Sequence, residues 1–435
     1  MLYRILRPVA TGAAVLVTLA ACDTLKNPLD VEASSRIPAA DVESPANAQL
    51  LVDGAIADFE CAFAAYVVQS ATVGEEFVYA QQTADRVPAD RRDVLPTDPR
   101  YANASCASLG IYGPLQIARA AAENVLGYLK GWTDAEVPVN RTRAIATSAA
   151  YAGYSRLLIG EAFCTAAFSR INPDRKIDYG GEIQRDSVYK SAINLFTEAI
   201  AAAQATNTTD ILRMAYLGRA RARLNLGDYA GAKSDAQQIP AGFVRNSTYS
   251  ATVGRRNNFV WADNAAANRS SSIGNPYRTM VDTRVPIVDG KTTSAIGILH
   301  FYQTKYTSVD APIPLATYDE AQLIIAEADI RANSLGTALP ILNASRARGG
   351  QTPFAGTTQP QYLAELIDQR RRELFLESHH LGDIIRFGIV VGPPAGTPHH
   401  FGGTYGNQIC FPLPASERQN NPLCLLYTSP SPRDS

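Results

Sequence analysis

Residues 215–240 open with Ala215-Tyr216-Leu217-Gly218-Arg219-Ala220, pass through Leu226-Gly227-Asp228-Tyr229 and Ala232, and close on Ala236-Gln237-Gln238-Ile239-Pro240. Small side chains at 215, 218, 220, 232 and 236 let two helices approach closely. Gly227 ends the first helix and Pro240 closes the second. The spacing predicts an antiparallel helical hairpin. Upstream, Tyr189, Ala192, Phe196 and Ala199 repeat the spacing of Tyr229, Ala232, Ala236 and Ile239. Helices over about 141–164 and 186–203 therefore make a second pair. Such pairs cannot bury their apolar faces alone, so they are expected to stack on other helices of the chain.

The hairpin resembles a tetratricopeptide (TPR) unit, and apolar periodicity extends the helical reading in both directions. Ser44-Pro45 sets a helix start for a segment running to about residue 79, and a stripe through Leu115, Ala118, Ala122, Val125 and Leu129 marks another over 112–129. Thr317-x-x-Glu320 is a capping box opening a further helix. Helices near 338–348 and 361–387 follow it. Two segments break the pattern. Residues 81–108 are rich in Pro, Asp and Arg and read as a surface loop. Residues 241–314 lose helical periodicity and carry short alternating runs, such as Gly297-Ile298-Leu299-His300-Phe301-Tyr302, that suggest strands. So long an irregular stretch inside a compact protein is usually functional. The fold class is mainly α: a TPR-like hairpin scaffold with a long loop-rich region carrying short strands.

The chain has 435 residues, 46% hydrophobic and 19% charged, which excludes a collagen, a disordered protein and a polytopic membrane protein. With 40 Lys and Arg against 41 Asp and Glu, nothing electrostatic points to nucleic acid. Residues 1–21 pair Arg4 and Arg7 with an apolar run over 13–21, too short to span a bilayer as a helix, and read as a signal peptide. Leu19-Ala20-Ala21-Cys22 resembles a bacterial lipobox, which is cut before the Cys that takes the lipid. Each buried acyl methylene is worth ~0.8 kcal/mol, so several chains on Cys22 would anchor the protein firmly. Residues 22–44 are the polar leader between anchor and fold. Export implies an oxidising compartment, with a disulfide expected between two of Cys61, Cys106 and Cys164. Residues 423–435 break from the preceding pattern and read as a non-native extension.

Three segments in the C-terminal half resemble the SusD/RagB family of outer-membrane nutrient-binding lipoproteins. They are Pro314-Leu315-x-x-Tyr318-x-Glu320-x-x-Leu323-x-x-Ala326-Glu327-Ala328, then Arg371-Arg372-Glu373-Leu374-Phe375-Leu376-Glu377-Ser378-His379-His380-Leu381-Gly382-Asp383-Ile384-Ile385-Arg386-Phe387-Gly388, then Phe411-Pro412-Leu413-Pro414-x-x-Glu417-x-x-x-Asn421-Pro422. The family usually has Arg-Trp where this chain has His380-Leu381. The resemblance implies one SusD-like domain over 45–422, with TPR-like helices over about 141–240, a loop-rich ligand region over 241–314 and C-terminal helices over 317–388. It also implies an outer-membrane lipoprotein facing outward that binds a nutrient, typically an oligosaccharide, and delivers it to a SusC-like TonB-dependent transporter. A TPR-type envelope assembly lipoprotein and a surface glycoside hydrolase are the alternatives.

The charges at Arg371, Arg372, Glu373, Glu377, Asp383 and Arg386 read as buried ion pairs rather than a catalytic cluster. No G-x-S-x-G, H-E-x-x-H or complete P-loop occurs, so no catalytic group and no cofactor is expected. His379-His380 and His399-His400 suggest a metal, but adjacent helical side chains diverge and no carboxylate completes a ligand spacing, so no metal is expected either. Sugars are held by aromatic faces with amides and charges on the hydroxyls. The candidate ligand residues are therefore Arg92, Tyr101 and Asn103 in the first loop, and Trp261, Asn264, Tyr277 and Arg278 in the second.

Overall fold

The computed structural model describes residues 42–106, 110–172, 176–265 and 267–424. The signal peptide, Cys22 and most of the leader lie outside them, as do residues 425–435. Ten helices of eight or more residues build the body: α1 (Ala48–Val73), α2 (Tyr112–Gly131), α3 (Arg141–Ala162), α4 (Arg185–Ala205), α5 (Thr209–Asn225), α6 (Tyr229–Ala236), α7 (Tyr318–Arg331), α8 (Leu335–Arg348), α9 (Gln359–Glu373) and α10 (His380–Phe387). Five shorter α-helices, two 3-10 turns and five two-stranded antiparallel ladders are the other elements among the described residues. The mainly α reading holds.

The expected hairpins form. Helix α3 packs on α4 and α5 on α6. Glycine permits the close approach: a Cβ on Gly153 would sit 2.8 Å from the Phe196 ring, and one on Gly218 would sit 2.4 Å from it. Phe196, on α4, is wedged between α3 and α5. Gly227 adopts φ +76° in the turn between α5 and α6, where a side chain would be strained. Helix α3 and the C-terminal half of α1 are buried all round, so they form the centre and the amphipathic helices wrap them.

The end of α3 is stapled to the third family-like segment. Phe411 donates its N–H to Ala162 O at 2.8 Å, Cys164 donates to Phe411 O at 3.0 Å, and Cys164 is disulfide-bonded to Cys410. Closing a loop of 246 residues is worth about 5 kcal/mol on chain-entropy grounds. The second disulfide joins Cys61 to Cys106, a pair drawn from the expected three. Leu423 and Cys424, assigned to the extension from sequence, belong to the described body, where Cys424 is buried.

A buried ionic network joins α3 and α5 to the C-terminal segments. Arg221 on α5 grips Glu161 on α3 with Nη2–Oε2 at 2.6 Å and Nε–Oε1 at 2.8 Å. Tyr66 and Asn225 also donate to Glu161. The same guanidinium donates to Ser378 O at 2.8 Å and lies 2.9 Å from His379 Nε2, which is 3.1 Å from Glu320 Oε1. A second knot follows. Arg370 holds Asp383 with contacts of 2.8 and 2.9 Å, and Arg386 bridges Asp383 and Glu327. Burial would raise the Asp383 carboxyl, but Arg370 and Arg386 outweigh it and hold it well below the usual range. The charge run is structural, as its sequence implied.

The long helix expected over 361–387 is two helices. Leu376 (φ +54°) and Ser378 (φ +78°) take left-handed backbone between α9 and α10. Tertiary bonds hold the break open. Leu376 N–H donates to Glu76 Oε1, Tyr306 donates to Leu376 O, and Lys305 donates to Phe375 O and Glu377 Oε1. The helix reading from 45 to about 79 also ends early, at Val73, because Phe77–Tyr79 pairs with Ser271–Ile273.

Glu76 carries a pH test. Burial pushes its carboxyl from an ordinary 4.5 up to about 7, against the Leu376 N–H and Lys305. The folded protein thus holds this proton more tightly than the unfolded chain. Its contribution to stability is complete below about pH 4.5 and is lost as pH rises through 7. Glu76→Gln keeps an acceptor for Leu376 and removes the titration. Relative to that variant, wild type should lose on the order of 3 kcal/mol between pH 5 and 8 in urea denaturation; parallel curves would refute the assignment.

Candidate functional site

A cleft of about 450 Å³ opens where four chain segments meet. Glu75 comes from the turn after α1 and Val78 from the strand Phe77–Tyr79 that follows it. Asn275, Pro276 and Arg278 come from the short helix Asn275–Arg278. Ile298 and Leu299 come from the tip of the hairpin that pairs Ile287–Thr293 with Leu299–Gln303. The fourth wall is the loop 389–406, which contributes Gly392, Pro393, His400 and Tyr405. Another groove, of about 530 Å³, lies along residues 88–100, but no aromatic ring lines it. A pocket of about 300 Å³ beside Cys106 is closed on its charged side by the Arg86–Asp263 ion pair. The first cleft alone combines apolar walls, a tyrosine ring and an arginine without a carboxylate partner among the described residues.

Buried polar groups hold the fourth wall. Arg92, in left-handed backbone at φ +56°, donates to Gly392 O at 2.7 Å, to Pro393 O, and to Gly406 O at 3.4 Å. Its guanidinium lies 5.1 Å from the Tyr405 ring centre. Glu75 Oε2 accepts the Gly392 N–H at 2.8 Å, and burial raises this carboxyl despite that bond and the nearby Arg371. Asp90 accepts from Tyr79 N–H and contacts both imidazoles of His399 and His400, at 2.9 and 3.4 Å. The His399 ring then packs edge-on against Tyr405 at 4.7 Å.

Asp90 is the carboxylate that sequence spacing did not supply to the histidine pair. Together the three offer ligand atoms within 4.8 Å of one another. Their hydrogen bonds fix a different role. His399 Nδ1 accepts the Phe401 N–H at 3.1 Å, which leaves the ring proton on Nε2, pointing at Asp90. A cation on Nε2 would force that proton onto Nδ1, against another N–H, whereas metal-binding imidazoles present their second N–H to an acceptor. The trio is a hydrogen-bonded anchor for the loop.

The structure brings few of the sequence-predicted ligand residues together. Arg278 lines the cleft, and Arg92 stands behind its wall. Tyr101 is buried and stacked on Phe411 at 5.9 Å. Asn103 is exposed and caps its own turn by accepting from Ser105 N–H. Asn264 is buried, tying Ser271 O, Phe301 O and Gln303 N–H. Tyr277 is buried against Phe375 beneath the Arg371 guanidinium. Trp261 is half-buried against the main core. Residues 81–108 are also not an open loop, since they contain helices Val87–Arg91 and Pro99–Ala102. Sequence reasoning missed Tyr405 and Glu75, and weighed His400 only as a metal ligand. A signal existed in Phe401-Gly402-Gly403-Thr404-Tyr405-Gly406, two aromatics in a glycine-rich turn with Gly402 and Gly403 at positive φ.

Residues 300–411 match the SusD family, a span holding the first two signature segments and the start of the third. That segment is similar to the SusD family. Solved structures share the fold of this chain. A SusD superfamily protein from Bacteroides vulgatus superimposes with TM-score 0.68 at 13% identity, covering 87% of this chain and 97% of that one. One from Bacteroides fragilis gives TM-score 0.66 at 14% identity over 88% and 99%. Surface glycan-binding protein A from Bacteroides thetaiotaomicron, in complex with laminarihexaose, gives 0.63 at 14% over 86% and 97%. No curated protein matches the chain. No helix among the described residues is long and apolar enough to cross a membrane.

The positioning role of Arg92 is testable. Arg92→Ala leaves three carbonyls without their donor and should loosen the loop without unfolding the α-helical body. Hydrogen exchange across 392–406 should rise at least tenfold while exchange in α3 stays unchanged. Unchanged loop protection would contradict the assignment.

Proposed function

We propose that this protein captures an oligosaccharide at the cell surface and passes it, unaltered, to a SusC-like TonB-dependent transporter in the outer membrane. The observation that carries the reading is a SusD-like segment, residues 300–411, whose loop sets Tyr405 and His400 around one cleft, facing Arg278 from the helix Asn275–Arg278. A tyrosine ring, apolar walls and a few polar groups suit the alternating C–H and hydroxyl surface of a sugar. The fold neighbour that carries laminarihexaose supports the same ligand class. Cys22 would take the lipid that keeps the binding body at the membrane, and the TPR-like helices would serve as scaffold and transporter-facing surface.

Binding without chemistry follows from the cleft's charges. Retaining and inverting glycosidases both use a pair of carboxyl groups flanking the scissile bond. Among the described residues lining the cleft, Glu75 is the sole carboxylate, and Gly392 N–H and Arg371 already engage it.

The test is a glycan array probed with the purified chain, followed by titration of Tyr405→Ala. Binding of at least one oligosaccharide class is expected, with no new reducing ends released. Loss of the ring should weaken affinity roughly tenfold, as ~1–1.5 kcal/mol of aromatic contact implies. A barrel transporter should co-purify from native membranes. Peptide binding with no glycan retained would overturn the ligand class.

A further inference from the structure

The arginines of this protein are largely matched to carboxylates. Arg86 pairs with Asp263, Arg119 with Glu123, Arg221 with Glu161, Arg284 with Asp282, and Arg370 with Asp383. Arg278 departs from this rule in the cleft described above. It lines the cleft, half-buried, and no carboxylate among the described residues lies within ion-pair range of it. Its Nε donates to Ile273 O at 2.7 Å, Nη2 lies 3.4 Å from Ser272 Oγ, and the guanidinium sits 4.8 Å from the Phe301 ring centre. These contacts use the Nε side and one face of the fork. The Nη1 end donates to no protein group among the described residues.

We infer that the cleft selects an anionic glycan and that Arg278 binds its charged substituent, a uronic-acid carboxylate or a sulfate ester; this deepens the oligosaccharide reading above and rests on it. A guanidinium presents planar paired donors, and two oxygens of a carboxylate or sulfate match them side by side. The bond to Ile273 O and the seat on Phe301 fix the fork before a ligand arrives, so little side-chain freedom is lost on binding. Burial alone pushes the Arg278 guanidinium below its ordinary value, with no neighbouring carboxylate acting on it. A half-buried cation without a counterion is costly, and an incoming anion relieves that cost. Glu75 does not fill the place. It answers to Gly392 N–H, Arg371 and Arg92, and Arg278 is not among the groups that shift it. Around the fork, Pro276, Leu299 and Pro393 supply apolar wall and Tyr405 a ring, as a pyranose requires.

Calorimetric titration of the full chain with polygalacturonate, a sulfated carrageenan and neutral laminarin separates the possibilities. Wild type should prefer one of the two charged polymers to laminarin by at least tenfold. The preferred polymer tells carboxylate from sulfate, and the preference should shrink as NaCl is raised. Arg278→Gln should abolish the preference, and Arg278→Lys should keep much of it, with thermal melts confirming that both variants fold. Laminarin bound as well as the charged polymers, or a preference that survives Arg278→Gln, would overturn the inference while leaving glycan capture standing. Failure to bind any of the three, with no glycan retained on an array, would overturn both.

Discussion

Glu161 and Arg221 meet in the interior, and the rest of the structure is arranged around their meeting. Two charges buried this deeply are stable only when each hydrogen-bonding position is filled. Tyr66, Asn225, Ser378 and His379 fill them from α1, α5 and the break between α9 and α10. The pair therefore does what an apolar contact would not. It fixes the position of a short non-helical segment against helices formed far away in sequence. Arg370, Asp383, Arg386 and Glu327 repeat the device one turn farther on, tying α9 and α10 to α7.

The cleft inherits its shape from that fixation. The segment held by Arg221 is continuous with α10, and the loop 389–406 begins where α10 ends. Arg92, Glu75 and Asp90 then grip the loop from elements near the N-terminal end of the described chain. Scaffold and site are thus linked by polar contacts between the two ends of the sequence. The apolar interior of the TPR-like pairs supplies a large share of the core but makes none of the polar contacts that aim Tyr405 and His400.

Sequence reading succeeded where local chemistry decides structure. Gly227 and the small residues at 215, 218, 232 and 236 encode the hairpin by themselves, and Thr317 caps α7 by accepting from Glu320 N–H as its spacing requires. It failed where tertiary bonds override periodicity. The apolar stripe across residues 361–387 is helical throughout, yet bonds from Glu76, Tyr306 and Arg221 hold Leu376 to Ser378 out of the helix. The site followed the same division. Asn264 and Tyr277 have the composition of ligand residues, but their side chains turn inward to pair strands and fill the core. Arg92 was selected as a ligand and proves to hold the wall. Tyr405 stood in a glycine-rich turn whose meaning depends on Arg92 and Asp90, some 300 positions away, which no local pattern reveals.

The most direct test is a double-mutant cycle on the central pair, using Glu161→Gln, Arg221→Met and the combination in urea denaturation. If the pair anchors the C-terminal segments, each single change strands a buried charge and should cost ~3–5 kcal/mol, and the double should cost far less than the two together. Single changes worth under about 1 kcal/mol, or strictly additive losses, would contradict the account.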